Sequence, residues 1–189
     1  MEIIQKRLSE KHVFTFNKDK VNFAYQDRTG SGDIDVSYAD IPKKTSVRIT
    51  ENTWLRNVGW IWCVIGVLGL LLQQKFVFWL FVGIGCLIWS HFTKKKYTVL
   101  NTDKGAIWVM QDKNHDEIIS ELHDRRKLQL LDWYGEVNPE NELANEIRKF
   151  NWLAEEGVIS QTEAEHKIAQ AQIAHQSNLV PPDDKPLLN

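Results

Sequence analysis

The sequence predicts an α+β membrane protein: a small antiparallel β-rich cytoplasmic domain, interrupted by a two-helix transmembrane hairpin and followed by a C-terminal α-helical hairpin. Three observations carry that expectation. Runs of alternating apolar and polar residues flank the middle of the chain, the middle itself has Lys75 as its one charged residue from Asn57 to Thr93, and residues 139–175 switch to a helical period. Average composition hides this layout, because 43% hydrophobic and 25% charged residues over 189 positions is an ordinary globular balance. A formal net charge of -2 argues against bulk nucleic-acid binding.

The first part alternates with period two at Val13-Phe14-Thr15-Phe16, at Val21, Phe23 and Tyr25, at Ile34, Val36 and Tyr38, and at Val47 and Ile49, which predicts short antiparallel strands. Turn chemistry separates them at residues 17–20 and 27–33 and at Pro42. The N-terminal stretch is polar and holds no apolar run suited to a cleavable signal. After the apolar middle, Tyr97-Thr98-Val99-Leu100 and Ala106 to Met110 predict two more strands around a turn at residues 101–105. A helix is expected from Asp116 to about Lys127, burying Ile118, Ile119 and Leu122. Neither half has strands enough to close a core, so residues 10–56 and 97–131 are expected to form one split domain.

Two uncharged runs of eighteen residues, 57–74 and 76–93, make the predicted spans. At ~1.5 Å rise per residue each reaches ~27 Å, close to the thickness of a hydrocarbon core. Lys43, Lys44, Arg48 and Arg56 precede the first run and Lys94, Lys95 and Lys96 follow the second, which by the positive-inside rule puts both termini in the cytoplasm. Trp54, Trp60, Trp62, Trp79 and Trp89, with Phe76, Phe78 and Phe92, suit interfacial belts. With a turn at Gln73-Gln74-Lys75, antiparallel packing pairs Gly66 with Gly83, Cys63 with Cys86 and Gly59 with Ser90, a seam of small residues. The two cysteines are thereby packing groups, and the lack of acidic or basic side chains within the spans argues against ion or proton translocation.

The element order of strands, inserted spans, a strand pair and a helix resembles bacterial pleckstrin-homology-like membrane proteins over roughly residues 10–131. Residues 139–175 predict a helical hairpin: Asn138 as N-cap before Pro139, Leu143, Ile147, Phe150 and Ala154 at helical spacing, Gly157 as the stop, then a Ser160–Glu163 capping box with Ala164, Ile168 and Ala171 apolar. The stretch Leu153 to Glu163, with Gly157, Ile159 and Ser160, followed by Lys167, resembles the short C-terminal (SHOCT) domain of bacterial proteins. That resemblance implies a module for oligomerisation or partner contact. Ala164 stands where the family carries an aromatic residue. Residues 176–189, with Pro181, Pro182 and Pro186, are expected to be a disordered tail.

Gly30-Ser31-Gly32 lacks the lysine and following helix of a phosphate loop and reads as a turn. His115 and His123 lie near Asp112, Asp116 and Asp124, but at no ligand spacing, so solvated residues are expected. No nucleophile elbow or Ser/His/Asp set occurs, so neither an enzyme nor a cofactor is expected. A lipid-headgroup surface is a candidate: Lys43, Lys44, Lys94, Lys95 and Lys96 beside the membrane, and Arg125, Arg126 and Lys127 after the expected helix.

These features together predict a non-enzymatic protein of the bacterial inner membrane, a scaffold or adaptor whose residues 139–175 recruit a partner or a second copy. From Pro139 onward nine acidic residues outnumber four basic ones, which keeps that part off anionic lipid. The alternatives are a membrane immunity or phage-defence protein that binds a toxin or phage product, an anionic-lipid sensor, or a subunit of an oligomeric channel.

Overall fold

The computed structural model describes residues 1–72 and 77–179. The chain is α+β, with two antiparallel sheets. The first has the order β1 (Glu2–Arg7), β2 (Glu10–Phe16), β3 (Lys20–Gln26), β4 (Ser31–Ser37), and the second β5 (Ser46–Thr50), β6 (Lys95–Thr102), β7 (Gly105–Met110). Helices α1 (Thr53–Leu71) and α2 (Val77–Phe92) lie between β5 and β6, and α3 (His115–Tyr134), α4 (Leu143–Glu155) and α5 (Gln161–Leu179) follow the second sheet.

The first sheet is built on period two. His12, Phe14 and Phe16 of β2 face the same side as Val21 and Phe23 of β3, with Phe14 opposite Phe23 in register. β1 was not expected, and the split domain starts before residue 10 because of it. Its inward positions are Ile3 and Gln5, and the glutamine disguises the alternation. Gln5 Nε2 donates to the Met110 carbonyl at 2.8 Å and its Oε1 accepts from Met110 N at 2.9 Å, so one amide side chain stands in for a ladder pair between β1 and β7. Tyr38, expected in a strand, lies just past β4 in a 3-10 turn, and its hydroxyl donates to the Asn17 carbonyl at 2.8 Å.

β5 and β6 pair across the apolar insertion, Thr50 opposite Lys95 and Ser46 opposite Val99. Val47 and Ile49 form the expected strand, but β5 is an edge and both side chains stay exposed. β6 differs: Tyr97, Thr98, Val99 and Leu100 are all buried, so both of its faces are covered. The main core joins Phe14, Phe23 and Val36 from before the insertion with Leu100, Ile107, Val109, Ile118 and Leu122 from after it.

α1 starts at Thr53 rather than Asn57, because Asn52 caps it, its Oδ1 accepting from Leu55 N at 3.0 Å. It is long and apolar enough to cross a membrane, and only 17% of its apolar window is buried; α2 is a shorter apolar helix. The turn residues Gln73, Gln74 and Lys75, and Phe76, lie outside the described residues.

α3 runs past Lys127 to Tyr134. The basic triple Arg125-Arg126-Lys127 reads as a helix end in sequence, yet lies mid-helix. Beyond it Leu130 joins a second core with Phe150, Leu153, Val158 and Ala164. α4 begins at Leu143, not at Pro139. Glu146 accounts for the difference: its carboxylate accepts from Asn138 N at 3.1 Å and Asn141 Nδ2 at 2.8 Å, which holds residues 138–141 in a separate turn. Residues 176–179, expected in the tail, are the end of α5, and residues 180–189 lie outside the described residues.

Candidate functional site

The packing of α1 on α2 uses the expected seam residues in a different pairing. A Cβ built on Gly83 would meet Cys63 N at 2.6 Å and the Gly59 carbonyl at 2.8 Å, one on Gly66 would meet Leu80 Cα at 2.7 Å, and one on Gly59 would meet Leu87 at 2.9 Å. Partners are thus displaced by three residues from the expected Gly66–Gly83, Cys63–Cys86 and Gly59–Ser90 pairs. Gly66 and Gly59 receive leucine side chains, while Gly83 receives Cys63 and the Gly59 backbone, so the two helices touch closely along this line. Ser90 instead donates from Oγ to the Asn52 carbonyl at 3.3 Å. Trp62 and Trp79 stack at 4.2 Å between ring centroids, while Trp54, Trp60, Trp89, Phe78 and Phe92 point outward.

The eight basic residues do not form one free surface. Arg126 is 8% exposed and donates to the Ile41 carbonyl at 2.7 Å and to Glu156 at 2.5 Å, while Lys43 donates to the Glu155 carbonyl at 2.5 Å. Both cations thereby latch the end of α4 to the sheet domain. Arg125 pairs with Glu121 and lies over the Phe16 and Tyr38 rings; Lys95 pairs with Glu10, and Lys94 and Arg56 share Glu51. Lys44, Lys96 and Lys127 are exposed.

Residues expected to meet a partner are partly spent inside the molecule. Phe150 and Leu153 are buried against Leu130 of α3, with Ile159 and Ile168 half-buried at the edge of that core, as are Leu143 and Ile147 elsewhere on α4. Gly157, at φ +72°, closes α4: its N–H reaches the Ala154 carbonyl and Val158 N the Leu153 carbonyl, both at 2.9 Å, with Val158 and Leu153 in one core. Ser160 and Glu163 exchange bonds at the start of α5, Ser160 N to Glu163 at 2.7 Å and Glu163 N to Ser160 Oγ at 3.2 Å. What stays outward is an aromatic group at the α3–α4 junction, where Tyr134 sits edge-on to Trp133 and to Trp152.

Sequence reasoning missed a cavity of about 570 Å³ lined by both sheets. Aromatic walls come from Phe23 and Tyr25 on β3, Tyr97 on β6 and Trp108 on β7. Polar groups come from Glu10 and His12 on β2 and from Asp27 and Thr29 in the β3–β4 turn. Alternation within single strands does mark these rings, but only the docking of one sheet on the other puts them around a common space. Glu10 accepts from Lys95 Nζ and Tyr97 Oη, each at 2.5 Å; burial raises its carboxyl, and these two bonds outweigh that to hold it below the ordinary range. Burial pushes the Tyr97 hydroxyl up, and the Glu10 carboxylate adds to it. His12 is 7% exposed, and its Nδ1 is the one buried side-chain nitrogen or oxygen without a hydrogen-bond partner among the described residues. Burial lowers its pKa, so the ring is neutral at pH 7.

His115 bonds Thr98 Oγ1 at 2.8 Å and Asp116 at 2.7 Å, and among the described residues no group of three His, Cys, Asp or Glu is arranged to hold a metal. Neither a family model, nor a curated protein, nor a solved structure matches this chain.

Proposed function

We propose that this chain is a non-enzymatic scaffold of the bacterial inner membrane, in which α1 and α2 span the bilayer and hold a cytoplasmic, pleckstrin-homology-like unit and a SHOCT-like helical hairpin against it. The observation that carries the reading is the insertion of two apolar, outward-facing helices between the paired strands β5 and β6. A core helix would be covered by protein; α1 is mostly uncovered, and lipid is the environment that suits such a surface. Glu51 between Arg56 and Lys94 ties both helix ends to one level, and the exposed Lys44 and Lys96 stand on that side, consistent with cytoplasmic termini.

Seven strands in sheets of four and three, followed by a helix whose Ile118 and Leu122 enter their core, support the pleckstrin-homology-like reading, and the Gly157 stop with the Ser160 capping box supports the SHOCT-like one. The partner surface is the outward aromatic group Trp133, Tyr134 and Trp152, since rings of this kind are favoured as interface anchors. Cysteine labelling in a background with Cys63 and Cys86 replaced by alanine tests the topology: Lys75→Cys should react from outside intact cells and Asp103→Cys only after permeabilisation. Reversed labelling, or release of the chain by alkaline washing, defeats the reading. Trp133→Ala with Trp152→Ala should abolish self-association or partner retention in mild detergent while insertion persists.

A further inference from the structure

Five rings line the inter-sheet cavity as a continuous series. Tyr25 lies 6.1 Å from Phe23, Phe23 5.3 Å from His12, His12 6.2 Å from Tyr97, and Tyr97 5.8 Å from Trp108, all between centroids. Gly32 lets the series close at its exposed rim, because a Cβ there would stand 2.9 Å from Tyr25 Oη. Lining side chains include two carboxylates and neither lysine nor arginine. Glu10 is matched by Lys95. Asp27 is not: its Oδ1 accepts from Thr29 N at 2.6 Å, Thr29 Oγ1 at 2.6 Å and Gly30 N at 2.9 Å, all neutral donors, and no cation pairs with it among the described residues.

An anion entering this space would meet Asp27, a carboxylate with no paired cation, and no lysine or arginine among the lining side chains. A neutral apolar molecule would leave Asp27 without a counter-charge. A cation with N–H donors supplies that charge, and aromatic faces attract it further through their quadrupoles. The volume, about 570 Å³, lies within the range of sites for small organic molecules and exceeds what a bare ammonium group fills. We propose that the inter-sheet cavity binds an organic ammonium compound with an apolar body, its ammonium group held by Asp27 and its body by the Tyr25, Tyr97 and Trp108 rings. The ammonium belongs to a soluble amine or to an ethanolamine lipid headgroup, since Thr50 at the cavity wall lies three residues before α1 begins.

The test uses the purified full chain in maltoside micelles free of lipid amines, labelled with fluorotryptophan, with the Trp108 fluorine resonance assigned by Trp108→Phe. Phenethylamine, charged at pH 7, is titrated against phenethyl alcohol, its neutral analogue. The amine should shift the Trp108 resonance saturably and bind at least about tenfold tighter than the alcohol. Asp27→Asn keeps an oxygen for the Thr29 and Gly30 donors, so the turn survives, and it should erase the preference for the amine while leaving alcohol binding unchanged. Tyr25→Leu, at the exposed rim, should weaken the amine roughly three- to tenfold. Added phosphatidylethanolamine that displaces the amine supports the site with a lipid as source; failure to displace it supports the site with a soluble amine. Equal affinity for amine and alcohol, an amine preference that survives Asp27→Asn, or no Trp108 shift up to about 10 mM overturns the proposal.

Discussion

The chain contains two helical hairpins that solve opposite problems. In α1 and α2, glycines let backbones touch and large apolar side chains point away from the pair: Gly83 sits against Cys63 and Gly59, while Trp60, Leu68, Phe81 and Trp89 face outward. In the second hairpin, Phe150 and Leu153 of α4 point inward to Leu130 and Ala164 of α5 closes that core, and the ends are held by caps and charges. The same motif therefore buries its bulk in one hairpin and displays it in the other, where α1 is long and apolar enough to cross a membrane. A glycine seam gives close contact without needing hydrophobic drive, whereas the second hairpin depends on that drive.

The sharpest way to break this comparison is Phe150→Ala. Its side chain is fully buried, so the α3–α4–α5 core should lose about 3–5 kcal/mol, seen as a lower thermal midpoint for that region, with α1 and α2 unaffected. A uniform loss across both hairpins would mean that they unfold as one unit.

Glu146 gives the next effect and a pH signature. Its side chain is 1% exposed and pairs with Lys149 at 2.8 Å. Burial raises its carboxyl, but bonds from Asn141, Lys149 and Asn138 outweigh this and hold it below its ordinary value of 4.5. The unfolded chain therefore takes up the proton first as pH falls. The contribution is complete above that ordinary value and is lost as pH drops through the lowered one. Glu146→Gln should cost about 1.5–3 kcal/mol at pH 7 and flatten the acid limb of a stability–pH curve; an unchanged slope would show that the carboxylate is not linked to folding.

Gly83→Leu acts on the first hairpin alone. Backbone lies within 2.8 Å of where its Cβ would be, so the helices must separate, at about 1–3 kcal/mol. Gly85→Leu is the matched control, with nothing within 4 Å, and should be silent. Equal effects of the two in a detergent thermal-shift assay would remove the seam. Smallest is Ser160→Ala, which should cost about 1 kcal/mol by removing the α5 cap, visible as faster amide exchange in that helix's first turn.

Much of this fold was legible in the sequence. Period-two runs marked β2, β3, β6 and β7, charge depletion marked α1 and α2, and the Gly157 and Ser160 signals marked the turn between α4 and α5, because each depends on residues close in the chain. β1 was hidden because Gln5 pairs with a strand more than a hundred residues away, and the true length of α3 was hidden because Arg126 looked solvated while it was buried.

The sequence by itself determined the strands β2, β3, β6 and β7, the apolar insertion and the turn between α4 and α5, since local periodicity, charge and capping residues suffice for those. Only the tertiary structure decided three things: the three-residue offset between α1 and α2, the hydrogen bonds that tie Lys43 and Arg126 to the Glu155 and Ile41 carbonyls, and the cavity whose rings come from β2, β3, β6 and β7. Each depends on which distant surfaces come within a few ångströms, and that is set by the packing of whole elements, on which the spacing of residues along the chain carries no information.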